Sequence, residues 1–192
     1  MGVDIYGRKP KIVTEGPKQI DFKSSTDEEK YEFWNKVEEW QKENPGIYFR
    51  SSWWGWRPIH MLCEMAKDKY RLKMDMSYWD SNDGKGLRTQ KQCDRLADAL
   101  ELMLNDIVYK EFLADNSNVI QIAKGSWRAT DYGKITSDEE AELNDRYPNG
   151  TILWAPVLTK KGVMVKSAHK CSLEDIKDWI LFLRGCGGFK IC

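Results

Sequence analysis

The stretch YFRSSWWGWRPIHMLC (48–63) holds the side chains best suited to binding a flat, charged molecule. Three indoles fall within four residues, with an arginine on either side. A base stacked on an aromatic ring gains roughly 1–3 kcal/mol, and a guanidinium binds a phosphate in a bidentate manner. If the segment is extended, side chains 54 and 56 share one face and 53 points the other way. The candidate ligand-binding residues are Arg50, Trp54, Trp56 and Arg57. The alternative is that the indoles are core, as most buried aromatic rings are.

The loop NDGKGL (82–87) offers a second set of ligand-binding groups. Glycines permit positive φ and the close approach of a ligand to the backbone, and amides near a following helix start could bind an anion. The loop lacks the Walker A pattern and the repeated acids of an EF-hand. The alternative is an Asx turn that joins two elements. The candidate residues are Asn82, Asp83, Gly84 and Gly86.

Two histidines and two cysteines provide a third possibility, a metal site. His60 and Cys63 are three residues apart, as are neighbours on one helix face, and His169 and Cys171 follow far downstream. If the fold joined them, they would form a Cys₂His₂ set. Their spacing matches no familiar zinc motif, so we expect no metal and no cofactor. The chain also lacks the G-x-S-x-G, H-E-x-x-H and dinucleotide patterns, which argues against a familiar hydrolase or dehydrogenase.

The elements that must position these residues indicate an α+β fold. Helices are predicted after a capping box at Thr26, from Pro58, after Thr89 with Gln92, and after Ser172, which gives about four helices. Strands are predicted over 3–7, 11–15, 47–50, 70–79 and at the C-terminal GGFKIC, and 118–125 is either a strand or a frayed continuation of the helix before it. The strand at 70–79 is inferred from strict alternation of apolar and polar residues. We expect a single domain over 1–192 with a mixed or antiparallel sheet.

The segment 126–150 is polar and rich in turn residues, so we interpret it as an excursion within the domain, with one short helix at 137–145. After it, TILWAPVL and GVMVKSAH predict a hairpin around TKKG.

Composition limits the classes of function. A chain of 192 residues suits one domain with a real core. Thirty basic residues balance thirty acidic ones, and this net charge of +0 argues against non-specific nucleic-acid binding. No apolar run approaches the ~18 residues of a membrane span. Five cysteines without a C-x-x-C pair fit a reduced setting better than a disulfide framework.

Four separated motifs carry a resemblance to a known family. MGVDIYGRKP, YFR…WWGWRPI, SNDGKGL…RLADAL and LEDIKDWILFLRGCGGFKIC occur in this order along most of the chain. They resemble an uncharacterised family of tailed-bacteriophage and prophage proteins that share the patterns MGLDIYG, YFR…WWWRPLW, NDGDGL and FLR…GGFEIC. The resemblance implies a phage origin and action in the cytoplasm of the host bacterium. Many members also carry C-x-x-C pairs that suggest a zinc-binding excursion; residues 105–170 here contain no cysteine, so that site is not carried over.

We therefore hold three functional hypotheses. The first is a phage accessory protein that counteracts host antiviral defence by binding and sequestering a small nucleotide-like signal molecule. The second is an inhibitor that binds a host defence protein directly, with tryptophan and arginine as interface anchors. The third is a nucleotide hydrolase. The nine tryptophans and the expected edge strands also make a homodimer a reasonable expectation.

Overall fold

A computed structural model describes residues 2–105, 119–122, 126–131, 133–148, 151–153 and 156–192. The protein is α+β, as its sequence predicts. The described residues form five helices, the four main ones that the sequence predicts and the short one expected at 137–145, and none of these is long and apolar enough to cross a membrane. The helices are α1 (Asp27–Glu43), α2 (Trp53–Lys69), α3 (Gln90–Leu104), α4 (Ser137–Arg146) and α5 (Leu173–Gly185).

The strands pair into three small antiparallel sheets, with the orders β2-β1-β9, β5-β3-β8 and β4-β7-β6. In the first sheet β1 is central, and Ile5 lies opposite both Phe49 and Ile191. The two ends of the chain therefore meet in one sheet. The strands are β1 (Gly2–Gly7), β2 (Tyr48–Ser52), β3 (Val119–Ile122), β4 (Trp127–Ala129), β5 (Ile152–Leu153), β6 (Val157–Leu158), β7 (Met164–Ser167), β8 (Lys170–Ser172) and β9 (Phe189–Ile191).

Helix starts follow the local capping chemistry that the sequence shows. A hydroxyl at the N-cap accepts the amide three residues later, and the side chain at that position accepts the N-cap amide in return. This capping box occurs at four of the helices and confirms the predicted starts after residues 26, 89 and 172. The pairs are Thr26 with Glu29, Thr89 with Gln92, Thr136 with Glu139, and Ser172 with Asp175.

The main core lies where the first sheet meets α2, α3 and α5, and its centre is aromatic. Trp179 of α5 makes an edge contact with Trp56 at 5.2 Å and stacks on Phe182 at 5.2 Å. Phe49 of β2 and Phe189 of β9 complete the contacts of Trp179 at 5.1 and 5.3 Å. These rings join the C-terminal part of the chain to β2 and α2, so the core is built from residues distant in sequence.

The prediction of a strand over 11–15 is wrong. This segment runs along the end of α1, where the amides of Val13 and Thr14 donate to the Asn44 side-chain oxygen at 2.6 and 3.3 Å. The Trp40 indole N–H donates to the Thr14 carbonyl at 2.8 Å. Because these backbone groups find side-chain partners, they need no neighbouring strand.

The prediction of a strand over 70–79 is also wrong, although the inward face was chosen correctly. Tyr70, Leu72 and Met74 are half-buried and Met76 is buried. The backbone, however, folds back on α2: Arg71 has a φ of 52° and the Leu72 amide donates to the Lys67 carbonyl at 2.8 Å. Buried and exposed side chains thus alternate along this segment although it belongs to no sheet.

The segment 126–150 is more than a polar excursion. Its short helix is confirmed as α4, but it also contributes β4 and half of a second small core. The predicted hairpin is present as β6 paired with β7, closed by Gly162 at a φ of 79°. The buried residues of the second core are Trp127, Leu143, Leu153 and Val165.

Candidate functional site

The tryptophan cluster is the first turn of α2. Ser52 caps this helix, because its hydroxyl accepts the Gly55 amide at 3.0 Å. The predicted start at Pro58 is therefore wrong; the helix begins at Trp53 and the proline lies inside it. A serine N-cap supplies the acceptor that the first amides of a helix need, so the turn closes before the proline is reached.

Helical geometry changes which indole can meet a ligand. Trp56 is 0% exposed and its Nε1–H donates to the Trp79 carbonyl at 2.8 Å. Trp56 was expected to face a ligand, which would hold in an extended segment with period two. In a helix the same residue points into the core, so Trp56 is corrected from ligand-binding to structural. Trp53, assigned to the core, is partly buried against it.

Trp54 and Arg57 come together around His169, which lies just before β8. The Trp54 indole is 43% exposed and stacks on the His169 imidazole with ring centroids 4.8 Å apart. Arg57 Nη1 lies 3.4 Å from His169 Nε2. His169 itself is fully buried. One face of the Trp54 ring is thus covered by protein, which leaves a limited surface for stacking.

Arg50 lies in a different setting. It is on β2 directly opposite Asp4 of β1, and the Arg50 Nε lies 3.6 Å from the Asp4 carboxylate. The Tyr48 hydroxyl donates to the same carboxylate, and burial together with this hydrogen bond raises the Tyr48 pKa. Arg50 therefore has an acidic partner and lines a separate cavity between α1 and α5.

The 82–86 loop is an Asx turn laid against the C-terminal strand. The Asp83 carboxylate accepts the Lys85 amide at 3.0 Å and pairs with the Lys85 ammonium at 3.2 Å. Gly84 has the expected positive φ, 77°, and its amide donates to the Ile191 carbonyl. Gly86 serves packing, since an added Cβ would lie 2.6 Å from Phe189. Asn82 is exposed to solvent.

A cavity of about 460 Å³ opens beside this loop, and we name it the Arg8–Arg88 pocket. The volume falls within the range of small-molecule sites. The sequence pointed to Gly86 of its lining but not to Arg8, which follows β1, to the 75–79 segment, or to Gln92 of α3. The lining residues are Arg8, Asp75, Tyr78, Trp79, Lys85, Gly86, Leu87, Arg88 and Gln92.

The lining of the Arg8–Arg88 pocket is positive, with three cations against one carboxylate, although one of the cations, Lys85, is paired with Asp83 just outside the lining. Arg8 is held by neutral acceptors, the carbonyls of Phe189 at 3.0 Å and Gly84 at 3.1 Å, and no carboxylate in the described part of the chain forms an ion pair with it. The Lys85 ammonium lies 3.2 Å from the centroid of the Tyr78 ring, a cation–π contact. Hydrogen bonds from Ser77 lower the pKa of Asp75, the one acid in the lining, which is therefore ionised.

The possible metal ligands do not converge. His60 Nδ1 lies 3.1 Å from Asp80, while the Cys63 sulfur accepts the Trp179 indole N–H at 3.3 Å. Burial raises the pKa of Cys63 to about 12 and also raises that of Cys171, so both keep their protons. Throughout the described part of the chain, no group of three or more His, Cys, Asp or Glu side chains is placed to hold a metal ion.

Replacing Asp80 with asparagine should reduce the acid sensitivity of the fold. The hydrogen bond from His60 lowers the pKa of Asp80. The resulting stabilisation is present above the ordinary aspartate pKa of about 4 and is lost as the pH falls through the lower folded value. Because the side chain is 61% exposed, the loss at pH 7 should be under about 1 kcal/mol. Urea unfolding at pH 7 and pH 3 measures it.

The matched control is Asp145→Asn, which changes an exposed acid on α4. Asp80→Asn should flatten the fall in stability between the two pH values, whereas Asp145→Asn should leave that fall as it is in wild type. Equal slopes for wild type and Asp80→Asn would show that the His60 contact contributes nothing.

Comparison with known proteins found no match to this chain among family models, curated proteins or solved structures. The chemistry of the site therefore has to follow from its own residues. A cationic cavity with one exposed aromatic ring is suited to bind an anionic, partly flat molecule.

Proposed function

We propose that this is a phage accessory protein that counteracts host antiviral defence by binding and sequestering a small nucleotide-like molecule in the host cytoplasm. The observation that carries the binding role is the Arg8–Arg88 pocket, where three cations and a half-exposed tyrosine line one cavity of about 460 Å³. The phage origin and the cellular setting rest on the resemblance of the four sequence motifs.

The charge distribution supports an anionic ligand. Arg88 is exposed and has no carboxylate within 4 Å in the described residues. Arg8 is fixed in place by two backbone carbonyls, so it loses little side-chain freedom when it meets a ligand. A phosphate group between these guanidiniums would form charge-assisted hydrogen bonds, which are about twice as strong as neutral ones.

The aromatic lining supports a ligand with a flat, weakly polar part. Tyr78 is 46% exposed, and Trp79 forms part of the wall from within the core. Nucleotides combine a flat ring with phosphates, so they match both features of the pocket. An inorganic anion could pair with the cations but would leave the Tyr78 ring without a partner. Contact with this ring therefore distinguishes a nucleotide from an inorganic anion.

A nucleotide that fits should raise the melting temperature by roughly 5–10 °C at about 100 times its dissociation constant, because a ligand that binds only the native state stabilises it. Differential scanning fluorimetry with a panel of linear and cyclic nucleotides, their nucleosides and inorganic phosphate tests this. Arg88→Gln should weaken binding by about tenfold or more through loss of a charged hydrogen bond.

Lys91→Gln is the control, since it removes a positive charge from an exposed position of α3 outside the pocket lining. It should leave the affinity unchanged. The proposal fails if no nucleotide of the panel shifts the melting temperature. If a bound nucleotide were consumed over time, the protein would be a nucleotide hydrolase rather than a protein that sequesters its ligand.

A second candidate, direct binding of a host defence protein, is favoured by the outer face of α1. Tyr31 is 70% and Trp34 is 57% exposed, and Phe22 packs on Trp34 with ring centroids 5.7 Å apart. Tyrosine and tryptophan are enriched among residues that carry binding energy at interfaces. An empty nucleotide screen together with a host protein that Trp34→Ala no longer binds would favour this candidate.

A further inference from the structure

A second cavity, of about 550 Å³, lies against β4 and β7 and is distinct in its lining from the Arg8–Arg88 pocket. We name it the Arg128–Lys166 cavity. In the described residues its lining contains three cations and no carboxylate. The lining residues are Trp127, Arg128, Ala129, Thr130, Gly133, Lys134, Ile135 and Lys166.

Two of the cations are held directly opposite each other by the β-ladder. Arg128 of β4 pairs with Lys166 of β7 in the antiparallel register. The Thr130 amide donates to the Met164 carbonyl at 3.0 Å two positions further on, which fixes this register. Like charges directly opposite each other destabilise an antiparallel pair. The sheet therefore holds a repulsive arrangement that an anion between the two side chains would relieve.

The third cation reaches the same cavity from the loop after β4. Lys134 follows Gly133, whose amide donates to the Asp131 carboxylate at 3.3 Å. This nearby acid is thus engaged with the backbone and is not part of the lining. Across the described segments, no carboxylate lies within 4 Å of the charged atoms of Arg128, Lys134 or Lys166.

The inner wall of the cavity is rigid. Trp127 is 4% exposed, and its indole N–H donates to the Asn144 side chain of α4 at 3.1 Å. Val165, on the neighbouring strand, is fully buried in the same small core. A site carried on strands is more precise than one on a free loop, and here the backbone that carries Arg128 and Lys166 is fixed by the packing of Trp127 and Val165.

We propose that the Arg128–Lys166 cavity binds the polyvalent oxyanion group of a small phosphorylated molecule. Arg128 and Lys166 clamp the group from the two strands, and Lys134 with the Thr130 hydroxyl completes the donors. The cavity volume suits a small molecule. This site is independent of the Arg8–Arg88 pocket and of the function proposed for it.

Lys166→Gln should change two measured quantities, the melting temperature of the free protein and its affinity for pyrophosphate. Without ligand, the variant should melt about 1–3 °C higher than wild type because the opposed charges are gone. Titrated with pyrophosphate at constant ionic strength, it should bind at least tenfold more weakly, and Arg128→Gln should do the same. Isothermal titration calorimetry and thermal melts of the full chain measure both effects.

Lys170→Gln is the matched control, an exposed lysine of β8 outside this lining, and should bind pyrophosphate within twofold of wild type. All titrations are repeated in Arg88→Gln protein, so that binding in the Arg8–Arg88 pocket is separated. Equal affinities for wild type, Lys166→Gln and Arg128→Gln overturn the proposal, as does loss of binding through Arg88→Gln alone. Tighter binding of a single-stranded oligonucleotide with the same dependence on Lys166 would replace the small molecule by a nucleic-acid strand.

Discussion

Replacing Trp56 with alanine should lower the free energy of unfolding by about 3–5 kcal/mol, the range for deleting a buried aromatic side chain. Trp56 is 0% exposed and contacts Trp79 and Trp179 with ring centroids 6.0 and 5.2 Å away. Its indole N–H also donates to the Trp79 carbonyl, which would be left without this buried donor. The variant therefore loses stability both from the cavity left by the indole and from the loss of this buried hydrogen bond.

Trp54→Ala is the matched control, two residues away in the same helical turn. Its indole is 43% exposed and contacts His169 on one face, so its loss should cost about 1 kcal/mol or less. Equilibrium urea unfolding, followed by far-ultraviolet circular dichroism, compares the two. A Trp56→Ala protein as stable as wild type would show that this indole is available at the surface, as the extended reading of the segment assumed.

The contrast between the two tryptophans shows where sequence reasoning stops. The caps at Thr26, Thr89 and Ser172 were predicted correctly because capping depends on residues three positions apart. The start of α2 was missed because Pro58 was taken as the first helical residue, whereas Ser52 caps the helix and the proline lies inside it. That shift changes the period of the segment from two to 3.6 and moves Trp56 from the surface to the core.

The segment 70–79 failed for a related reason. Period-two alternation reports which side chains are buried, and the residues it placed inward do face the core. It does not report whether a neighbouring backbone is available for pairing. Here the amide of Leu72 is taken by the end of α2, and Arg71 turns the chain with a φ of 52°. Strand pairing depends on residues distant in sequence, so it cannot be predicted from the alternation of apolar and polar residues within one segment.

The Arg8–Arg88 pocket could be predicted only in part. Its loop was singled out from the glycines and acids of NDGKGL, whereas Arg8 comes from the end of β1 and Arg88 from the approach to α3. These residues meet because β9 lies beside β1 and the loop hydrogen-bonds to β9 through Gly84. The juxtaposition depends on the return of the C-terminus, which no local pattern encodes.

Three glycines mark a place where backbones from separate parts of the chain pack directly against each other. Gly7 ends β1, Gly46 follows α1 and Gly185 ends α5, so each belongs to a different part of the chain. A Cβ on Gly7 would lie 2.2 Å from the Gly46 carbonyl oxygen and 2.9 Å from that of Cys186. Three backbone segments therefore touch without side chains between them.

Gly46→Ala should accordingly lower the free energy of unfolding by about 3 kcal/mol, at the upper end of the usual cost of overpacking. The added Cβ would lie 2.2 Å from the carbonyl carbon and oxygen of Gly185 and 2.8 Å from the Cys186 amide nitrogen. These are backbone atoms at the end of α5, so they cannot yield by rotating a side chain. Relief requires the end of α5 to move away from the turn that follows α1.

Gly162→Ala separates this steric effect from backbone strain. Gly162 has a φ of 79° and no atom within 4 Å of an added Cβ, so its replacement costs only the left-handed conformation, about 1–2 kcal/mol. Urea unfolding of both variants compares the two mechanisms in one protein. If Gly46→Ala is the more stable of the two, α5 and the turn after α1 are not in contact through their backbones. If it is clearly the less stable, the glycine at the end of NPG is required by close packing rather than by the turn that follows α1.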